Sequence, residues 1–160
     1  QENTIVGPLI DEPAAQRVEA WVNDAMGQGA KICIGGTRQG ALMMPTVLTH
    51  VNPQMKVSCQ EVFGPVVTIT PYQKFDEALE QLNDSAYGLQ AGVFTQNMSK
   101  VFRAFQQLEV GTVLVNEIPT FRADHMPYGG VKDSGLGREG VKYAIQEMTE
   151  PKLLVWNVPT

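Results

Sequence analysis

Between Val66 and Asn116 short β-rich stretches alternate with segments of helical spacing, and this alternation constrains the fold more than any other feature. Val66-Val67-Thr68-Ile69-Thr70 is short and β-branched, and Pro71 marks its end. Phe75, Ala78, Leu79 and Leu82 then recur at i, i+3, i+4 and i+7, as on one helix face. Leu89 to Thr95 is a second strand. Asn97 is placed to cap a helix with a predicted buried face of Val101, Phe102, Phe105 and Leu108. Gly111 to Asn116 is a third strand. Strands joined by helices of this length run parallel, with right-handed crossovers. The prediction is an α/β fold built on a parallel βαβαβ sheet with flanking helices. Ligands of such sheets gather beyond the carboxyl ends of the strands. That makes the residues after Asn116 the place to look for a site.

The flanking segments read less regularly. Asp11-Glu12-Pro13 predicts a helix start, and Val18, Trp21, Val22, Ala25 and Met26 carry it at helical spacing to Gly27 and Gly29. Lys31 to Ile34 is a predicted strand, Thr37 to Pro45 a loop, and Thr46 to Val51 another strand. Residues 117–137 have no periodicity, yet Phe121, Arg122, His125, Met126 and Tyr128 make them too aromatic for a disordered linker. Arg138 to Met148 predicts a last helix, with Val141, Ala144, Ile145 and Met148 on one face. Lys152 to Val158 predicts a terminal strand that is apolar on both faces. A bare strand of that kind invites aggregation, so it is expected to pair with another subunit.

Composition narrows the function. A formal net charge of −5 over 160 residues argues against nucleic acid or an anionic membrane as partner. No apolar run is long enough to span a bilayer. The start, Gln1-Glu2-Asn3-Thr4, carries neither a signal peptide nor an initiator Met, which fits a fragment. Cys33 and Cys59 fit a reduced, cytoplasmic protein, and their spacing matches no zinc signature. Cys33, between Ile32 and Ile34, is expected to pack in the core. His50 and His125 are too isolated to be metal ligands, so no metal site is predicted.

The segment Glu61-Val62-Phe63-Gly64-Pro65 resembles a motif of the aldehyde dehydrogenase superfamily. Four further stretches resemble that family's motifs in the same order: Asn83 to Leu89, Gly111 to Asn116, Pro127 to Gly135, and Gly137 to Gly140. Gly7-Pro8-Leu9-Ile10 is also similar to a segment that shortly follows the family's nucleophile. The resemblance implies that residues 1–148 are the C-terminal part of the catalytic domain and residues 149–160 the C-terminal oligomerisation strand. It implies a parent enzyme that oxidises an aldehyde to a carboxylic acid through a cysteine thiohemiacetal, with NAD or NADP as hydride acceptor.

In family order the nucleophile, the base and the oxyanion donor precede this segment, so no catalytic residue is assigned here. Cys59 lacks the neighbours that would activate a thiolate and is not assigned the role. Glu61 matches the glutamate that accepts hydrogen bonds from the nicotinamide ribose; its plainer reading is a solvated loop carboxylate. Phe63 matches an aromatic beside the nicotinamide, and its plainer reading is a core Phe. Tyr128 matches an aromatic of the aldehyde tunnel, while Phe121 and Arg122 fall where the family sets substrate specificity. A phenol and a guanidinium suit a polar or anionic aldehyde, as in branches acting on lactaldehyde, succinate semialdehyde or glyceraldehyde 3-phosphate. The plainer reading of Arg122 is an ion pair with Asp124 or with another subunit's acid. The expected partners are a small aldehyde and further copies of the chain through Lys152 to Val158. Alone, the chain is expected to be inactive and to bind NAD(P) weakly. Two other functions fit the residues: a free-standing, inactive assembly domain, and a reductase of the glutamyl-phosphate type.

Overall fold

The computed structural model describes residues 4–158, which form two compact units divided after Tyr72. The first unit opens with α1 (Glu12–Gly27). The Asp11 carboxylate accepts the Ala14 N–H at 2.8 Å, so the capping read from Asp11-Glu12-Pro13 is the capping observed. Strands β1 (Lys31–Ile34), β2 (Arg38–Gln39), β3 (Leu42–Met43) and β4 (Thr46–Thr49) follow, then the short α2 (Lys56–Cys59) and β5 (Val66–Ile69). The stretch expected as a loop therefore holds a small β2–β3 hairpin. Arg38 ties it to α1 through Glu19 at 2.8 Å and Glu12 at 3.1 Å. The main sheet has the order β1-β4-β5, with β1 antiparallel and β5 parallel to β4. Val18, Val22 and Ala25 of α1 pack there with Met43, Leu48, Met55 and Val57. Cys33 is exposed, against expectation. A register shift between Ile32 and Ile34 turns only Ile32 toward the core.

The second unit contains α3 (Phe75–Asn83), β6 (Tyr87–Gly88), β7 (Gln90–Val93), α4 (Met98–Gln107), β8 (Thr112–Val115), β9 (Val131–Lys132) and α5 (Val141–Glu147). β7, α4 and β8 form a parallel βαβ unit, with Gln90 opposite Thr112 and Val93 opposite Val115. The α/β reading holds, and parallel pairing occurs where two of its three strands were expected. The third, β5, hydrogen-bonds to β4 rather than extending the β7–β8 ladder. Strand propensity identifies a strand but does not choose its partner.

The inner face of α4 also differs from the reading. Ala104 and Leu108 are buried, whereas Phe102 and Phe105 are 58% and 70% exposed. Ala104 and Leu108 pack with Leu79, Ala91 and Val93, and a small Ala lets the helix sit close; the two Phe side chains lie on the adjacent row. α5 starts three residues later than expected. Gly140 precedes it at φ 110°, a conformation no helical residue adopts. Residues 151–158 carry no ladder within the chain. Leu153, Leu154, Val155 and Trp156 are each at least 79% exposed. A strand exists only through its partner's hydrogen bonds, so the expected terminal strand has no counterpart in a single chain.

Candidate functional site

The predicted residues fall into two groups, one in each unit. In the first unit, residues 61–65 connect α2 to β5. Val62 turns inward and packs on the α1 core. The Arg17 guanidinium, itself 4.8 Å over the Trp21 ring, donates to the Val62 carbonyl at 2.8 Å. Gly64 lies against α1 so closely that a Cβ there would stand 2.8 Å from Val18 Cγ2. These anchors leave Glu61 and Phe63 on the outside. Phe63 is 73% exposed and lies outside both hydrophobic clusters of the described residues. It also sits at φ 47°, a left-handed conformation that costs an aromatic residue roughly 1–2 kcal/mol. An apolar ring held out in an unfavourable backbone conformation is a mark of a binding surface. Beside it stands an exposed carboxylate whose two oxygens suit a pair of sugar hydroxyls.

In the second unit the site follows the carboxyl end of β8, where strand topology points. Asn116 takes φ 55° and its side chain accepts the Thr95 N–H at 2.8 Å, clasping the ends of β7 and β8 together. The chain then loops outward. Phe121 is 49% exposed, and its carbonyl accepts from Gln90 Nε2 at 3.4 Å. Arg122 lies with its guanidinium carbon 4.2 Å from the centre of the Tyr128 ring. Its Nη2 meets Glu139 Oε2 at 2.7 Å. Glu139 is therefore the acid that pairs with Arg122, and Asp124 is not. Tyr128 and Glu139 also exchange backbone hydrogen bonds at 3.1 and 2.6 Å. Three residues distant in sequence thus become one cluster. Tyr128 and Glu139 border an open cleft of about 420 Å³ that is also lined by Ala144 and Glu147 of α5 and by Met148 just after it. His125 is exposed beside this loop.

Sequence reasoning does not single out Glu139 as the partner of Arg122. The signal was present in Gly137-Arg138-Glu139, but the sequence does not say which acid an arginine chooses. Cys59, at the end of α2, is exposed and its Sγ lies 3.7 Å from the Gln54 carbonyl. Among the described residues no group of three or more His, Cys, Asp or Glu is arranged to hold a metal. No helix among them is long and apolar enough to cross a membrane.

The sequence profile described as the aldehyde dehydrogenase family matches residues 1–154. The chain belongs to the aldehyde dehydrogenase family. A 3-sulfolactaldehyde dehydrogenase of Priestia aryabhattai is 53% identical over 157 residues, covering 98% of this chain and 33% of that protein. The crystal structure of aldehyde dehydrogenase 21 from Physcomitrella patens, in complex with the reaction product succinate, matches with a TM-score of 0.95. Its identity is 47%, over 98% of this chain and 32% of that one. A glyceraldehyde-3-phosphate dehydrogenase from Methanocaldococcus jannaschii, complexed with NADP, matches with a TM-score of 0.88. Its identity is 42%, over 92% of this chain and 32% of that one. The chain spans about a third of the length of the relatives it matches.

Several aldehyde dehydrogenase motif residues in the second unit hold the fold together. Asn83 accepts the Glu109 N–H at 2.9 Å and donates to the Gln107 carbonyl at 2.7 Å, closing α4 against α3. Lys132 donates to the carbonyls of Asn83 and Ser85 at 2.7 and 3.2 Å and pairs with Glu109 at 2.7 Å. Ser134 accepts the Gly88 N–H at 2.9 Å. Arg138 donates to the carbonyls of Gly130 and Gly137 at 2.9 and 2.6 Å, and its N–H reaches Glu147 at 3.0 Å. These contacts shape the loop that presents Tyr128 and Glu139.

Proposed function

We propose that this chain forms the substrate-specificity wall and part of the cofactor contact of an NAD(P)-dependent aldehyde dehydrogenase, and that the aldehyde is short and carries an anionic group. The observation that carries the reading is the Arg122 guanidinium, stacked at 4.2 Å on the Tyr128 ring and about half exposed, just beyond the carboxyl end of β8. A planar cation with free donors suits a carboxylate, sulfonate or phosphate. The similar proteins named above are described with 3-sulfolactaldehyde, succinate and glyceraldehyde 3-phosphate, each of which bears such a group. Phe121 and Tyr128 supply the apolar surface beside it.

On this reading Glu61 accepts hydrogen bonds from the nicotinamide ribose, and Phe63 packs beside the nicotinamide. The cofactor, when bound, accepts the hydride that the aldehyde loses. The nucleophilic cysteine lies outside this chain, and Cys59 is a bystander. The chain alone binds NAD(P) weakly, and Lys152 to Val158 pairs with another copy.

The test is steady-state formation of reduced nicotinamide by the complete enzyme. Arg122→Gln is expected to raise KM for anionic aldehydes by about ten- to hundred-fold, the range for losing a hydrogen bond to a charged group. KM for propanal should stay unchanged. Equal effects on both substrates would show that Arg122 does not read the anionic group.

A further inference from the structure

We infer that Glu139 is a displaceable counter-ion whose charge sets how tightly Arg122 holds the anionic group of a substrate or product. The inference rests on the reading of Arg122 given above. The Arg122 guanidinium is held by the Tyr128 ring at 4.2 Å and by the Glu139 carboxylate at 2.7 Å. The side chains are 46% and 66% exposed, so a small anion reaches the pair from solvent. An incoming carboxylate or sulfonate brings a second negative charge to the same cation. It either shares the guanidinium against like-charge repulsion or displaces Glu139. Both outcomes weaken binding relative to a site without that carboxylate. A neutral aldehyde offers nothing that competes for Arg122. Glu139 thus makes Arg122 selective for strong acceptors while limiting how long a charged product is retained.

The geometry allows the carboxylate's charge to be removed without dismantling the site. Glu139 is placed by its two backbone hydrogen bonds to Tyr128, not by its side chain. The aromatic stack keeps Arg122 in position after the charge is gone. Glu139 is therefore a positioning residue, and its effect appears on anion affinity.

The experiment follows the Arg122 Nε–Hε resonance of the nitrogen-labelled chain during titration with propanesulfonate, with neutral propanesulfonamide as control. Glu139→Gln is expected to tighten propanesulfonate binding roughly three- to ten-fold, the scale of a half-exposed ion pair plus the repulsion it relieves. Glu139→Asp, which keeps the charge, should stay near wild type, and the sulfonamide should not bind. Glu139→Gln that binds as wild type or more weakly, while Arg122→Gln abolishes binding, overturns the role of Glu139 and leaves Arg122 as the anion site. Unchanged affinity in Arg122→Gln overturns the reading of Arg122, and this inference with it. So does a lack of saturable shift in both wild type and Glu139→Gln.

Discussion

At Gly64 a single missing methyl group decides where two candidate cofactor residues stand. A Cβ there would lie 2.8 Å from Val18 Cγ2 and 3.2 Å from Cγ1, and Val18 is fully buried. Gly64→Ala is expected to destabilise the chain by about 1–3 kcal/mol, the usual cost of overpacking a core. Urea unfolding measures it, and an unchanged midpoint would mean that the 61–65 loop is not seated on α1. The same loop bears on the cofactor reading. Glu61→Gln in the complete enzyme is expected to raise KM for NAD(P) by about ten-fold or more, since hydrogen bonds to a charged group are stronger than neutral ones. An unchanged KM would return Glu61 to a solvated carboxylate. Side chains of this kind were legible only through the family resemblance. Glu61 and Arg122 stood out by motif and chemistry, but Glu139 did not, because the choice among Asp124, Glu139 and other acids is made by the fold. The left-handed backbone at Phe63 and Lys132 was likewise invisible, since neither residue type advertises it.

At the scale of elements, local signals were reliable where local physics controls the outcome. Asn97 was read as a cap, and its Oδ1 accepts the Ser99 and Lys100 N–H groups at 2.9 and 3.3 Å. Asn97→Ala should therefore cost about 1 kcal/mol in thermal unfolding. A variant as stable as wild type would mean that α4 is held by packing alone. Signals failed where a neighbour decides. The inner row of α4 includes Ala104, which contributes little to an apolar periodicity, so the reading favoured Phe102 and Phe105. The partner of β5 is β4, which no periodicity specifies. The start of α5 is set by Gly140, whose φ of 110° is a property of the loop rather than of the helix.

At the scale of the whole molecule, the terminal residues form a contiguous run of exposed apolar side chains that no strand among the described residues covers. Leu153, Leu154, Val155 and Trp156 are 86%, 81%, 79% and 79% exposed, and Val158 is 70% exposed. Side chains alternate across an extended segment, so both of its faces are apolar. Apolar residues scattered singly on a surface are ordinary, but a contiguous run with free backbone donors and acceptors is a template for pairing. A second copy is the partner always available at the same concentration. The chain is therefore expected to be a dimer or larger by light scattering at micromolar protein. Leu153→Glu combined with Val155→Glu should lower the mass toward the monomer. These two residues are solvent-exposed in the single chain, so the substitutions should leave the circular dichroism of the folded units unchanged. A monodisperse wild-type monomer would remove the terminal segment as an assembly element. A variant that stays dimeric would move the interface elsewhere on the molecule.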